Sequence, residues 1–152
     1  MLLVCTFFIL TSIVQSSYHK YCNVRFEYCI EYPTELKGLG ESDNGDGQKF
    51  VSIDNKVNLT VFRDPREASY ESTVQCKMEC FKSDSKSSNG KIVTYKKEGN
   101  NFFVVSGTSG NDIFYQKTIY TNGGMITAVI QYDVSKKNTY DSYSTYLFNT
   151  FK

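Results

Sequence analysis

A chain of 152 residues carrying 17 Lys and Arg against 16 Asp and Glu has no global field to hold a polyanion or a membrane surface, so nucleic acid is set aside as a partner. Twelve Tyr and eleven Phe without a single Trp are an aromatic load suited to strands and to sheet-against-helix cores. Once an N-terminal export segment is removed, about 135 residues remain, room for one core and not two.

Met1 to Val14 reads MLLVCTFFILTSIV, an apolar run too short to span a bilayer comfortably and followed by small polar residues. That is the shape of a signal peptide. Val14 and Ser16 satisfy the small-residue rule for cleavage after Ser16, although the terminal amine is the only charge of the n-region. The expectation is a signal peptide over 1–16 and one mature domain over 17–152, secreted or periplasmic. A membrane anchor or a buried first helix is the alternative. No later segment approaches transmembrane length, so the mature chain is not expected to insert stably in a membrane.

Cys5 leaves with the signal, and Cys22, Cys29, Cys76 and Cys80 remain, an even number that predicts two disulfides in an exported chain. A hairpin over 21–32 turning at Arg25 and Phe26 places Cys22 opposite Cys29 at bridging distance. Phe26, Tyr28, Ile30 and Tyr32 alternate with Glu27, Cys29 and Glu31 as in a half-buried strand, closed by Pro33. Residues 38–47 read as a loop, and 49–53 with 57–62 as a hairpin around Asp54 and Asn55. A helix is predicted from about Tyr70 to Lys82. Tyr70, Val74, Met78 and Phe81 form its apolar stripe, with Cys76 and Cys80 on the far side. A Cys76–Cys80 bridge would be strained at that spacing, so links to the hairpin stay open. Zinc is a rival use of four cysteines, but the spacings and a lone His19 do not suit it, and no metal is predicted.

From Lys91 onward four strands, 92–96, 102–106, 113–120 and 125–132, are separated by turns short enough to demand an antiparallel meander. The closing segment 138–151 sets Tyr140, Tyr143, Leu147 and Phe151 at helical spacing, a face able to cover a sheet. The fold class is α+β, an antiparallel β-sheet with flanking helices.

Chemistry-bearing residues are sparse. In the loop 41–47, Asp43, Asn44 and Asp46 offer hard oxygen ligands to calcium, yet Asn-Gly and Asp-Gly are equally turn formers and the EF-hand register is missing. Asn58-Leu59-Thr60 is a glycosylation sequon or a chance triplet on an outward strand face. A single His near the cleavage point leaves no His-based nucleophile activation. Glu27 and Glu31 share a strand parity and form the one candidate acid/base pair, against the ordinary reading of an exposed charged face. No catalytic set is predicted.

Several phrases, in order, resemble the PsbP-like superfamily. They are Arg25-Phe26-Glu27-Tyr28-Cys29-Ile30-Glu31-Tyr32-Pro33, Asn44-Gly45-Asp46-Gly47 leading to Phe50, Val105-Ser106-Gly107 within the meander, and Phe148-Asn149-Thr150-Phe151-Lys152. That superfamily includes extrinsic photosystem subunits, a Ran-binding nuclear import factor and many uncharacterised exported bacterial proteins. The resemblance implies an antiparallel sheet flanked by helices, used as a binding scaffold and not generally as an enzyme. The Sec-type N-terminus separates this chain from the plastid and nuclear members and points to the exported bacterial branch. The sequence therefore reads as an exported, non-catalytic binding or accessory protein with an unidentified protein or glycan partner. A secreted inhibitor or immunity-type protein and a small glycan- or peptide-directed hydrolase are the alternatives.

Overall fold

The computed structural model describes residues 18–152; the export signal read at 1–16 lies outside the described residues. The chain opens with a hairpin of β1 (Tyr18–Asn23) and β2 (Tyr28–Pro33). In it Cys22 pairs directly with Cys29 and the two form a disulfide on the exposed face. Three strands follow, β3 (Lys37–Glu41), β4 (Gly47–Val51) and β5 (Val57–Arg63). A 3-10 turn at Pro65–Ser69 leads into α1 (Thr73–Asp84). The meander then runs β6 (Lys91–Glu98), β7 (Phe102–Ser109), β8 (Asp112–Thr121) and β9 (Gly124–Asp133), and α2 (Lys137–Thr150) closes the fold.

Strands β3 to β9 form one antiparallel sheet in the order β3-β4-β5-β9-β8-β7-β6. Its centre is β9, paired with β5 on one side and β8 on the other. Residues 38–41, expected in a loop, instead belong to edge strand β3, whose pairing with β4 is shifted between Gly38 and Glu41. Two glycines there, one of them Gly40 at φ 94°, hide the strand from a reading based on propensity.

Side-chain alternation sends each strand's residues to two different covers. On one face Val57, Leu59, Val61, Ile126, Ala128 and Ile130 pack beneath α2 and the β1–β2 hairpin. Helix α2 contributes the predicted Tyr140, Tyr143, Leu147 and Phe151, all buried. Three phenols tie this layer together. Tyr140 donates to Glu35 Oε1 at 3.0 Å, Tyr143 to the Glu31 carbonyl at 2.9 Å and Tyr132 to Asp141 Oδ1 at 2.7 Å. Tyr18 of β1 stacks on Tyr146 of α2 with ring centroids 4.1 Å apart. Gly123, in the β8–β9 turn, lies so close to the hairpin turn that a Cβ there would stand 2.1 Å from the Phe26 carbonyl oxygen.

The other face is covered by α1, and here the predicted helix orientation is overturned. Val74 and Met78 are 79% and 57% exposed, whereas Cys76 and Cys80 are fully buried against Phe103, Val105, Phe114 and Met125. A cysteine packs as a small hydrophobe and lets a helix approach a sheet closely, so the pair forms the contact line and the larger Tyr70 and Phe81 pack at the cluster's margin. The helix starts at Thr73, later than expected, because Ser72 is its N-cap: its Oγ accepts from the Gln75 N–H at 3.2 Å.

Candidate functional site

The cysteines expected to form a second bridge do not. Cys76 and Cys80 are free, with their sulfurs 3.6 Å apart and Cys76 also 3.6 Å from the Met125 sulfur. Successive turns of one helix hold them side by side and not in bonding geometry. Burial, followed by the neighbouring Cys80, pushes the Cys76 thiol up to about 12, which is the state of an inert structural thiol.

The 41–47 loop is cross-tied to the hairpin. Both Asp46 carboxylate oxygens accept protein donors, Ser42 Oγ at 2.6 Å and Asn44 Nδ2 at 2.8 Å. The carbonyls of Asn44, Gly45 and Asp46 accept from Arg25, Asn23 and Tyr28. Asp46 and the loop carbonyls thus serve the turn itself, with Asp43 exposed beside them. Asn58 sits half-exposed on β5, on the parity opposite to Val57 and Leu59. Glu27 and Glu31 are not a facing pair. Glu27 lies in the β1–β2 turn at φ 54°, and the Glu31 carboxylate is engaged by the Tyr146 hydroxyl. The carboxylate pair that a glycosidase needs is therefore not assembled there. His19 is exposed on β1, 5.7 Å from the Tyr32 ring.

A polar network not anticipated from the sequence runs beneath α1. The Arg66 guanidinium chelates buried Asp64, with Nε and Nη2 at 3.0 and 2.7 Å from Oδ2, and reaches Asp84 at 2.8 and 3.0 Å. Asp84 also accepts from Gln116 at 2.7 Å, and Thr118 and Thr127 share a bond of 2.9 Å. Asp84 first and Asp64 second raise the Arg66 pKa further above its ordinary value. Its charges are mutually satisfied, so it fastens the Pro65–Ser69 turn and the end of α1 to the sheet.

The open feature is a cleft beside α2. The helix covers the sheet's centre but leaves the same face uncovered over β6 and β7. Register fixes what lines it: Tyr95, Ser106 and Tyr115 form one cross-strand row, and Lys97, Val104 and Lys117 the next. The larger part of the cleft has a volume of ≈ 590 Å³ and lies between the first row and α2, where Asp141, Thr145 and Phe148 form its far wall. The Tyr115 hydroxyl is buried there without a hydrogen-bond partner, and burial raises its pKa. A second part of ≈ 400 Å³ extends toward Phe102, Lys117 and Lys152 and shares Lys97, Phe148 and Asn149 with the first. Lys117 is only 4% exposed. Burial, reinforced by the charge of Lys152, lowers its pKa to about 8. The cleft presents amines, amides and phenols, and its carboxylate, Asp141, is engaged by Lys137 and Tyr132. Such a set can hold a ligand through hydrogen bonds and ring contacts. Sequence reasoning missed Lys117. The available signal was its parity with Ile113, Tyr115 and Ile119 on β8.

Among the described residues no helix is long and apolar enough to cross a membrane. No protein-family model matches the sequence, and no curated protein matches it. Solved structures do. The chain is similar to cyanobacterial PsbP (CyanoP) from Synechocystis sp. PCC 6803, with a TM-score of 0.60 and 13% identity over 95% of this chain and 96% of that one. It is also similar to PA94 from Pseudomonas aeruginosa, described as a protein of unknown function and candidate regulator, with a TM-score of 0.50 and 9% identity over 89% and 96% of the two chains. The likeness to CyanoP covers nearly the whole of both chains, and on it the chain is assigned the PsbP-like fold.

Proposed function

We propose that this protein is an exported, non-catalytic accessory domain that binds its partner through the cleft between α2 and the β6–β8 part of the sheet. The observation that carries the reading is the cleft itself, ≈ 590 Å³ in its larger part, walled by a rigid sheet row and a helix and lined with unspent hydrogen-bonding groups such as the Tyr115 hydroxyl. A solvent-exposed Cys22–Cys29 disulfide suits an oxidising compartment and supports the export reading. The PsbP-like resemblance supports a scaffold that works by binding.

The test is a pull-down with the oxidised 17–152 chain as bait against proteins and glycans of its own envelope or secretome. A Thr145→Trp variant, which places bulk in the cleft from the exposed side of α2, serves as the control. A saturable partner lost in that variant supports the reading. A partner retained by the variant moves the site elsewhere. Turnover of glycan or peptide substrates by the unmodified chain would refute the non-catalytic assignment.

A further inference from the structure

The smaller end of the cleft has a chemistry of its own. Its wall is made of three lysines, 97, 117 and 152, with the amides of Asn101 and Asn149, over an apolar floor of Phe102, Ile119 and Phe148. No Asp or Glu lines it, and none of the three lysines has a carboxylate within ion-pair distance among the described residues. In a chain with nearly equal numbers of acidic and basic residues, three unpaired cations around one pocket are a local excess that surface statistics do not require.

The central lysine is the informative one. A buried ammonium normally faces a carboxylate, because desolvation of a lone charge is costly. Lys117 instead donates to the Phe148 carbonyl oxygen at 2.5 Å, near the C-terminal end of α2, and lies 4.9 and 5.2 Å from the ring centroids of Phe148 and Phe102. Lys97, one step along the same cross-strand row beyond Val104, points its Nζ at the same Phe148 ring, 4.9 Å away. Carbonyl and ring contacts hold these ammonium groups in place without neutralising them. The aromatic side chains that orient the lysines are also the pocket's floor. An anion entering here would meet pre-positioned donors set directly against an aromatic floor.

We propose that this pocket binds an amphipathic organic acid, with its carboxylate or phosphate head among Lys97, Lys117 and Lys152 and its apolar body on Phe102, Ile119 and Phe148. This rests on the reading of the cleft as a binding surface and names the ligand class of one end. Its volume, ≈ 400 Å³, falls within the range of small-molecule sites.

The experiment is titration of the disulfide-intact protein, by calorimetry and by amide chemical shifts, with 4-phenylbutyrate, phenyl phosphate, acetate, inorganic phosphate and the neutral 4-phenylbutanol. Saturable binding of one of the two amphipathic acids, well above that of the bare anions and the alcohol, is the expected result; which acid binds identifies the head group. Lys117→Met keeps the length of the side chain and removes its charge, and it should weaken binding about 10- to 100-fold. Lys152→Ala, at an exposed position, should weaken it by a smaller factor and covers the case in which Lys117→Met does not fold. No binding of either acid, equal binding of the alcohol, equal binding of the bare anions, or undiminished affinity in both lysine variants would each overturn the proposal. A partner that is captured through the cleft while the acids fail to bind refutes this inference alone. Loss of both results refutes the cleft reading with it.

Discussion

Lys117 ties a measurable pH dependence to a single side chain. Its pKa falls from 10.5 to about 8 on folding, so between those values the unfolded lysine holds a proton that the folded one has released. The unfolded state then binds more protons, and stability rises with pH across that window. A shift of this size corresponds to about 3 kcal/mol between pH 7 and pH 10.5. The same contribution is absent below pH 8, where the buried ammonium must be carried charged. Tyr28 and Tyr143, whose ionisation is suppressed by burial, act in the opposite sense above pH 10, which is why a difference measurement is needed. Urea unfolding followed by far-ultraviolet circular dichroism, from pH 7 to 10.5, should be run on the natural chain and on Lys117→Met. The tyrosine contributions cancel between the two. The natural chain should gain on the variant by roughly 3 kcal/mol as pH rises through the window. Parallel curves would mean that Lys117 is not a desolvated, unpaired amine, and the electrostatic reasoning about its pocket would fail with it.

Three further outcomes are expected. With Cys22 and Cys29 bonded and Cys76 and Cys80 free, the intact mass should lie two hydrogens below the reduced value, and thiol reagents should find two groups only after unfolding; a deficit of four hydrogens would restore the second bridge. Arg66→Gln leaves Asp64 and Asp84 without their shared cation and should cost about 3 kcal/mol, the lower end of the range for a broken buried pair because the guanidinium is partly exposed; an unchanged urea midpoint would refute the network's role. Millimolar calcium should leave the melting temperature unmoved, since Asp46 already accepts from Ser42 and Asn44, and a rise abolished by Asp46→Asn would reassign the loop as a calcium site.

The parts of the fold legible in advance were those in which one periodicity served one cover. Tyr140, Tyr143, Leu147 and Phe151 all face the sheet because α2 has a single apolar stripe. The Cys22–Cys29 bond follows from a short turn that fixes register. Helix α1 misled because both of its faces carry apolar side chains, and the smaller pair, not the bulkier residues, sets how close the helix can come. The cleft and the Arg66 network were illegible for a different reason. Strand β8 is apolar on both faces, so parity groups Lys117 with Ile113, Tyr115 and Ile119, and Gln116 with Phe114, but does not say which cover each side meets. Only the pairing of β8 with β7 and β9 shows that one faces Asp84 and the other Phe148.

The stacking of Tyr18 on Tyr146 and the Tyr143 bond to the Glu31 carbonyl join elements more than a hundred positions apart, with separations of 112 and 115 for the two hydrogen bonds from α2 to Glu31. These contacts set an order of assembly. The hairpin can close its own Cys22–Cys29 loop from local sequence alone, and the 41–47 loop and the Gly123 turn give it a partial seat, but the contacts that clamp its other side come only with α2. Until α2 docks, the Tyr18 ring and the Glu31 carbonyl lack the partners they have in the finished protein. A truncation that removes α2 would leave this side of the hairpin and the sheet face beneath the helix uncovered, converting a folded domain into a substrate for chaperones or aggregation.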